Sequence, residues 1–150
     1  MLTLCFALLS LSGFSQNYMN KTKAQVKKEL TEYAAKNDSL NVTISETDTA
    51  IVLAIKGSNT LPADFIYRFD KAGKCMSEKV ITDCDSCLNK YFQAVLALKK
   101  YEWRKINENQ YISGFAARML IELPADSKDY YFTILRTDWS KQMYNSLTDK

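Results

Sequence analysis

The sequence predicts an α+β domain, an antiparallel sheet with helices packed on one of its faces. Two stretches, at about 22–36 and 83–100, carry apolar residues at helical spacing, whereas most of the remaining chain alternates apolar and polar residues as strands do. Polar turns separate the alternating stretches, which are close enough to join as hairpins. A helix followed by a run of hairpins favours an antiparallel sheet that the helices cover.

The first helix has a well-defined start. Thr22 and Gln25 match the capping box, in which each side chain bonds the free backbone N–H of the other residue. The helix should end near Lys36, because Asn37 can adopt the left-handed cap conformation. Its apolar stripe, at i, i+4, i+7 and i+8, is formed by Val26, Leu30, Tyr33 and Ala34.

Four alternating segments follow, at about 42–45, 50–56, 65–69 and 74–81. The turn Asp70–Gly73 supplies a glycine where a hairpin needs a positive φ.

A second helix is predicted to begin at Asp83 or Asp85, since both are suitable N-caps. Its stripe consists of Leu88, Tyr91, Phe92, Val95 and Leu96. Further strands are expected at about Glu102–Ile106, Tyr111–Glu122 and Tyr130–Arg136. A last helix capped by Asp138 should turn its apolar side chains toward the core, namely Trp139, Met143 and Leu147.

An internal repeat is visible in the sequence. The string Leu-Pro-Ala-Asp occurs at Leu61–Asp64 and again at Leu123–Asp126, 62 residues later, and at that offset the apolar stripes of the two helices superpose. We therefore predict a tandem helix–strand–strand–strand repeat with units of about 21–82 and 83–150, the second of which also contains the C-terminal helix.

The first fifteen residues, Met1–Ser15, carry no charged side chain. An apolar run, Leu2–Leu11, precedes the small-x-small triplet Gly13-Phe14-Ser15, which is the layout of a secretory signal peptide cleaved before Gln16. The run is shorter than the about 20 apolar residues of a bilayer-spanning helix. We expect a periplasmic or extracellular protein whose single mature domain, 16–150, has no transmembrane span; a buried N-terminal helix or strand is the alternative.

Composition excludes several classes of function. The net charge of +3 is small and spread along the chain, so we expect no nucleic-acid partner. The chain has no histidine, which excludes Ser-His-Asp and Cys-His catalysis and histidine metal sites. No catalytic constellation remains, and we expect neither catalytic residues nor a cofactor or metal.

The predicted order of elements resembles two families of cell-envelope folds, the tandem β-lactamase-inhibitor-protein type and the outer-membrane assembly lipoprotein type. Their opening helix often begins with Gly, a hydroxyl residue and a downstream Val; the corresponding stretch here is Asn20–Val26, with Asn20 in place of Gly. The leader's end, Gly13-Phe14-Ser15 before Gln16, is similar to signal peptides of small secreted proteins of Bacteroidetes-type Gram-negative bacteria. The resemblance implies binding by a concave sheet face, not catalysis.

Three cysteines follow the leader, Cys75, Cys84 and Cys87. In an oxidising compartment we expect a disulfide from Cys75 to Cys84 or Cys87, which would pin the second helix to the sheet and add on the order of 2–3 kcal/mol.

Two alternatives use the same cysteines. The C-x-x-C from Cys84 to Cys87 at a helix N-terminus is typical of thiol–disulfide exchange, with Cys84 as the exposed nucleophile and Cys87 as the resolving thiol. Asp83 and Asp85 flank Cys84, however, and disfavour a thiolate. Three thiolates with Asp83 or Asp85 would suit zinc, but a second C-x-x-C or a histidine pair is missing.

Aromatic residues near the last strands are candidates for a binding surface, in particular Tyr101, Trp103 and Tyr131. Both faces of the segment Tyr130–Leu135 are apolar, and one must be core. The other face is either an exposed aromatic patch or is covered by the C-terminal helix, which is the interpretation we favour.

These observations predict an exported, non-enzymatic binding module whose partner is a protein or a cell-envelope component. The alternative is a thiol–disulfide oxidoreductase or redox sensor that uses residues 84–87.

Overall fold

The computed structural model describes residues 18–57, 60–125 and 128–149. The predicted leader Met1–Ser15, its cleavage site before Gln16, and Asp126 lie outside these ranges. The described chain forms one antiparallel sheet and three helices, so the predicted α+β class is confirmed. The helices are α1 (Lys23–Lys36), α2 (Asp85–Leu96) and α3 (Lys141–Thr148).

The sheet has eight strands in the order β1-β2-β3-β4-β8-β7-β6-β5. Each of the first two helices is followed by four strands, and the last strand of each run, β4 or β8, lies at the centre of the sheet. The strands are β1 (Val42–Glu46), β2 (Ala50–Ile55), β3 (Ala63–Phe69), β4 (Cys75–Thr82), β5 (Arg104–Asn107), β6 (Gln110–Ile112), β7 (Met119–Glu122) and β8 (Tyr130–Arg136).

Two local predictions near the first helix and hairpin are confirmed. Thr22 and Gln25 form the reciprocal capping box of α1, and the helix ends at Lys36. Gly73 has a φ of 71°, the left-handed conformation that the turn between β3 and β4 requires.

Other boundaries differ from the predictions. The expected strand Tyr111–Glu122 is broken by a turn in which the Ala117 N–H bonds the Gly114 carbonyl at 3.0 Å and Arg118 has a φ of 50°. Four strands therefore follow the second helix, where the predicted repeat unit had three. The N-cap of α2 is Cys84, between the two aspartates proposed for it.

The C-terminal helix also differs. Ser140, not Asp138, caps α3, and its Oγ accepts from the Met143 N–H at 3.2 Å. Met143 is 54% exposed, and Tyr144 supplies the buried contact instead, against Phe115 at 5.4 Å between ring centroids.

Register places the core on one face of the sheet. Ile51 lies opposite Tyr67, and Leu53 lies opposite Phe65. Val80 on β4 lies opposite Phe132 on β8, and these two strands are the central pair of the sheet. We call this the core face; its fully buried members include Ile51, Leu53, Phe65, Tyr67, Phe132 and Ile121.

Helices α1 and α2 contribute to the same buried cluster. Val26 and Leu30 of α1 are inaccessible to solvent. From α2, Tyr91 contacts Phe65 edge-on with ring centroids 5.5 Å apart, and Phe92 contacts Phe132 at the same separation.

The opposite side of the sheet is more accessible. A row of cross-strand neighbours crosses six adjacent strands, β2, β3, β4, β8, β7 and β6. Every member of the row is partly exposed: Val52, Ile66, Lys79, Thr133, Glu122 and Gln110. A second row beside it is also partly exposed: Ala54, Asp64, Ile81 and Tyr131. We call these two rows the open face.

Candidate functional site

Apolar side chains occupy the β2–β4 part of the open face. Val52, Ile66 and Ile81 lie on β2, β3 and β4, on the side of the sheet away from the core, and each is partly exposed. Three such side chains on adjacent strands form a contiguous, partly exposed apolar patch, which is a candidate interaction surface.

Tyr131, one of the predicted binding residues, lies beside this patch. The Lys79 ammonium sits 3.7 Å from the centroid of its ring, within the range of a cation–π contact. The favoured expectation that the C-terminal helix covers this side of β8 is wrong for Tyr131, which stays partly exposed. The strand with which α3 chiefly makes contact is β5, at the edge of the sheet.

A groove of about 680 Å³ opens at the end of the open face where the β5–β6 turn lies. Gln110, Glu122 and Thr133, which are cross-strand neighbours, form part of its lining. The Asn107 amide donates to Gln110 Oε1 at 2.7 Å, and the Gln110 amide donates to Glu122 Oε1 at 3.1 Å. The groove therefore contains a hydrogen-bonded chain of three polar side chains, Asn107, Gln110 and Glu122, which we call the relay.

Sequence reasoning missed the groove. Alternation assigns Glu122 and Thr133 to strands and leaves Gln110 one residue outside the strand predicted to begin at Tyr111, and only the register of β6, β7 and β8 brings the three side by side. The one sequence signal is that each has polar character at a position where the neighbouring residue is core.

Tyr101 and Trp103 do not join Tyr131 in a surface. Tyr101 ends a 3₁₀ turn after α2 and is only 8% exposed, and Trp103 packs against the core with its ring 5.9 Å from that of Tyr101. The expectation of an exposed aromatic surface is therefore wrong for Tyr101. Tyr101 is buried because the 3₁₀ turn carries the chain back over the core before β5 begins.

The disulfide joins Cys84 to Cys87, and Cys75 is a free buried thiol. The expected bridge from Cys75 to the second helix is therefore wrong. Cys75 begins β4 and Cys84 follows its end, so an extended strand of eight residues, about 25 Å long, separates them. Disulfide-bonded residues have Cα atoms less than about 7 Å apart.

The bonded pair lies at the start of α2. Cys84 is the N-cap, and its Sγ accepts from the Cys87 N–H at 3.1 Å. Cys84 is partly exposed, whereas Cys87 is buried. An oxygen of Asp83 lies 3.8 Å from the Cys87 sulfur.

The zinc alternative is not supported by this arrangement. Asp83, Cys84 and Cys87 have their ligand atoms within 4.8 Å of one another. Zinc binds thiolates, however, and the two sulfurs here are bonded to each other. Cys75, the third thiol of that hypothesis, lies at the far end of β4.

A buried carboxyl group was not anticipated. Glu78 of β4 faces the core, is 5% exposed, and accepts from the Tyr67 hydroxyl at 3.4 Å. Burial raises the pKa of Glu78 to about 8, and burial also raises the pKa of the nearby Cys75 thiol to about 12. Alternation along β4 places Glu78 on the same face as Val80, which is the sequence signal that could have identified it.

Comparison of the chain with protein-family models, with curated proteins and with solved structures gives no match. In the described ranges, none of the helices combines the length and apolar character needed to cross a bilayer.

Proposed function

We propose that this protein is an exported, non-enzymatic binding module that holds a protein of the cell envelope against its open face. The observation that carries the proposal is the partly exposed apolar patch of Val52, Ile66 and Ile81 on β2, β3 and β4. Burying such a patch against a partner removes apolar surface from water, which is the main favourable term in association. The leader-like segment Met1–Ser15 supports export.

We also infer that the two helix-plus-four-strand units arose by duplication. Helices α1 and α2 begin at Lys23 and Asp85, and the edge strands β1 and β5 begin at Val42 and Arg104; both pairs are 62 residues apart, as are the Leu-Pro-Ala-Asp strings. Duplication of this kind supports a binding role, because joining the units at β4 and β8 produces one broad face from two short ones.

Site-specific photo-crosslinking in the intact producing cell tests the binding proposal. A photoreactive amino acid at position 66 should give a discrete crosslinked product, whereas the same group at Ala35, on the exposed side of α1, should not. Val52→Glu, which places a charge next to Ile66 across the β2–β3 pair, should abolish the product. Equal products from both positions, or none from position 66, would refute the proposal.

Thiol–disulfide exchange is a second candidate function, favoured by the bonded pair at the start of α2. A bridge across so few residues adds only about 2 kcal/mol in the chain-entropy model, which is little for a structural staple. In the reaction, a substrate thiolate attacks the accessible Cys84 sulfur and Cys87 leaves as a thiolate. A second substrate thiol then displaces Cys84, so the substrate dithiol is oxidised and the protein pair is reduced.

The pKa of the Cys84 thiol in the reduced protein decides this second candidate. It is measured from the pH dependence of alkylation, with Cys87→Ser to isolate Cys84. A reactive thiol needs a pKa below the ordinary value of about 8.5. A Cys84 pKa at or above that value would end the redox hypothesis.

A further inference from the structure

We infer that the groove at the β5–β6 end of the open face binds a neutral saccharide. The inference goes beyond the proposed function, since it assigns a second class of ligand to the other end of the same face. Its volume, about 680 Å³, falls within the range of about 300–1,000 Å³ that ligand sites commonly have.

The polar side chains of the groove are already oriented. Asn107 Oδ1 accepts from the Asn109 N–H at 2.9 Å, and this contact fixes the direction of the Asn107 amide. That amide donates to Gln110, which in turn donates to Glu122, at 2.7 and 3.1 Å. Little side-chain ordering is then left to oppose binding.

This relay offers both hydrogen-bond roles to a ligand. Each amide nitrogen carries two N–H donors and uses one of them within the relay. One N–H of Asn107 and one N–H of Gln110 are therefore left to donate to a ligand. The Glu122 carboxylate at the end of the relay is an acceptor with several lone pairs. Sugar hydroxyl groups donate and accept, and therefore match both.

Charge argues for a neutral ligand. The Glu108 carboxylate is paired with Lys105 at 2.8 Å, and the Lys79 ammonium lies against the Tyr131 ring. Glu122 repels an anion, and within the described residues that line the groove there is no lysine or arginine to attract one. The Gln110 amide occupies one oxygen of Glu122, and the other oxygen is an acceptor for sugar hydroxyl groups.

Apolar surface completes the match. Leu123, Pro124 and Tyr131 line the groove beside the relay, and the cation–π contact with Lys79 holds the Tyr131 ring in place. Sugar rings have C–H faces as well as hydroxyl edges, so a site for them combines apolar walls with a small number of oriented polar groups.

Titration of the purified mature domain with cellotetraose, mannotetraose and chitotetraose, followed by amide NMR shifts, tests the inference. At least one of these neutral probes should shift the backbone and side-chain signals of Asn107, Gln110 and Glu122 at millimolar concentrations or below. Gln110→Ala, and separately Asn107→Ala at the exposed end of β5, should each weaken binding about tenfold, because the hydrogen bonds that each substitution removes together contribute about 1.4 kcal/mol.

The controls separate this inference from the proposed function. Val52→Glu, at the opposite end of the open-face row, should leave saccharide binding unchanged while it abolishes the crosslinked product from position 66. Absence of shifts with all three probes, wild-type affinity in both the Gln110→Ala and the Asn107→Ala variants, or shifts with oligolysine alone would overturn the saccharide site. None of those results would affect the crosslinking outcome.

Discussion

Glu78 is the residue whose chemistry depends most on its position in the fold. Its carboxyl group lies among Tyr18, Tyr67 and Cys75, and Tyr18 and Tyr67 are in edge-on ring contact at 5.1 Å. The same side chain on the open face would be an ordinary surface carboxylate. Because β4 directs the side chain inward, burial raises the pKa of Glu78 to about 8, and the carboxyl group stays neutral below that pH.

Stability should therefore decrease as pH rises. In the unfolded chain the pKa of Glu78 is near 4.5, so between about pH 4.5 and 8 the folded state binds more protons than the unfolded state. The free energy of unfolding should fall by a few kcal/mol over that range. The stabilising contribution of Glu78 is complete below its pKa in the unfolded chain and is lost above its pKa in the folded protein.

Glu78→Gln tests this at the residue scale. The amide is uncharged at all these pH values, so urea unfolding of the variant should show a smaller decrease in stability with pH and greater stability than wild type near pH 8. Glu32→Gln, which changes an exposed carboxyl of α1, should keep the wild-type pH dependence. Identical profiles for Glu78→Gln and wild type would contradict the burial argument.

At the scale of the element, α2 shows how a helix start can combine two roles in one residue. Cys84 caps the helix through its sulfur and also forms the disulfide with Cys87. The bridge closes within the first turn of the helix, so it ties α2 to nothing outside itself. The sequence contains both cysteines and the helical stripe, but the pairing follows from the length of β4, which keeps Cys75 away.

Removal of the bridge should consequently have a small effect. Cys84→Ser/Cys87→Ala, which retains a side-chain acceptor at the N-cap, should lower the free energy of unfolding by about 2 kcal/mol or less. Cys84→Ala/Cys87→Ala differs in the cap alone and should lose about 1 kcal/mol more. Chemical denaturation of both variants gives the comparison; a much larger loss in the serine variant would mean that the bridge organises more than α2.

At the scale of the whole molecule, the pairing of β4 with β8 joins the two halves of the chain. Val80 and Phe132 are cross-strand partners at the centre, and Phe132 also touches Phe92 of α2. Edge strands β1 and β5 are the farthest from this junction. The two halves share one buried cluster, so we expect them to unfold together.

Phe132→Ala tests this cooperativity. Truncation of a fully buried phenylalanine should cost about 3–5 kcal/mol, and hydrogen exchange should accelerate in β2 and β3 as well as in β7 and β8. Phe115→Ala, whose ring contacts Tyr144 of α3, is a control that should leave protection of β2 and β3 unchanged. Faster exchange confined to the second half would show that the halves are independent.

The α+β class, the capping box at Thr22 and the turn at Gly73 follow from the amino-acid sequence alone, because helix caps, periodicity and turns depend on residues a few positions apart. The partner of Cys84, the burial of Glu78 and Tyr101, and the assembly of Gln110, Glu122 and Thr133 in one groove follow from the tertiary structure. Those features depend on strand order and register, through which residues distant in the chain become neighbours.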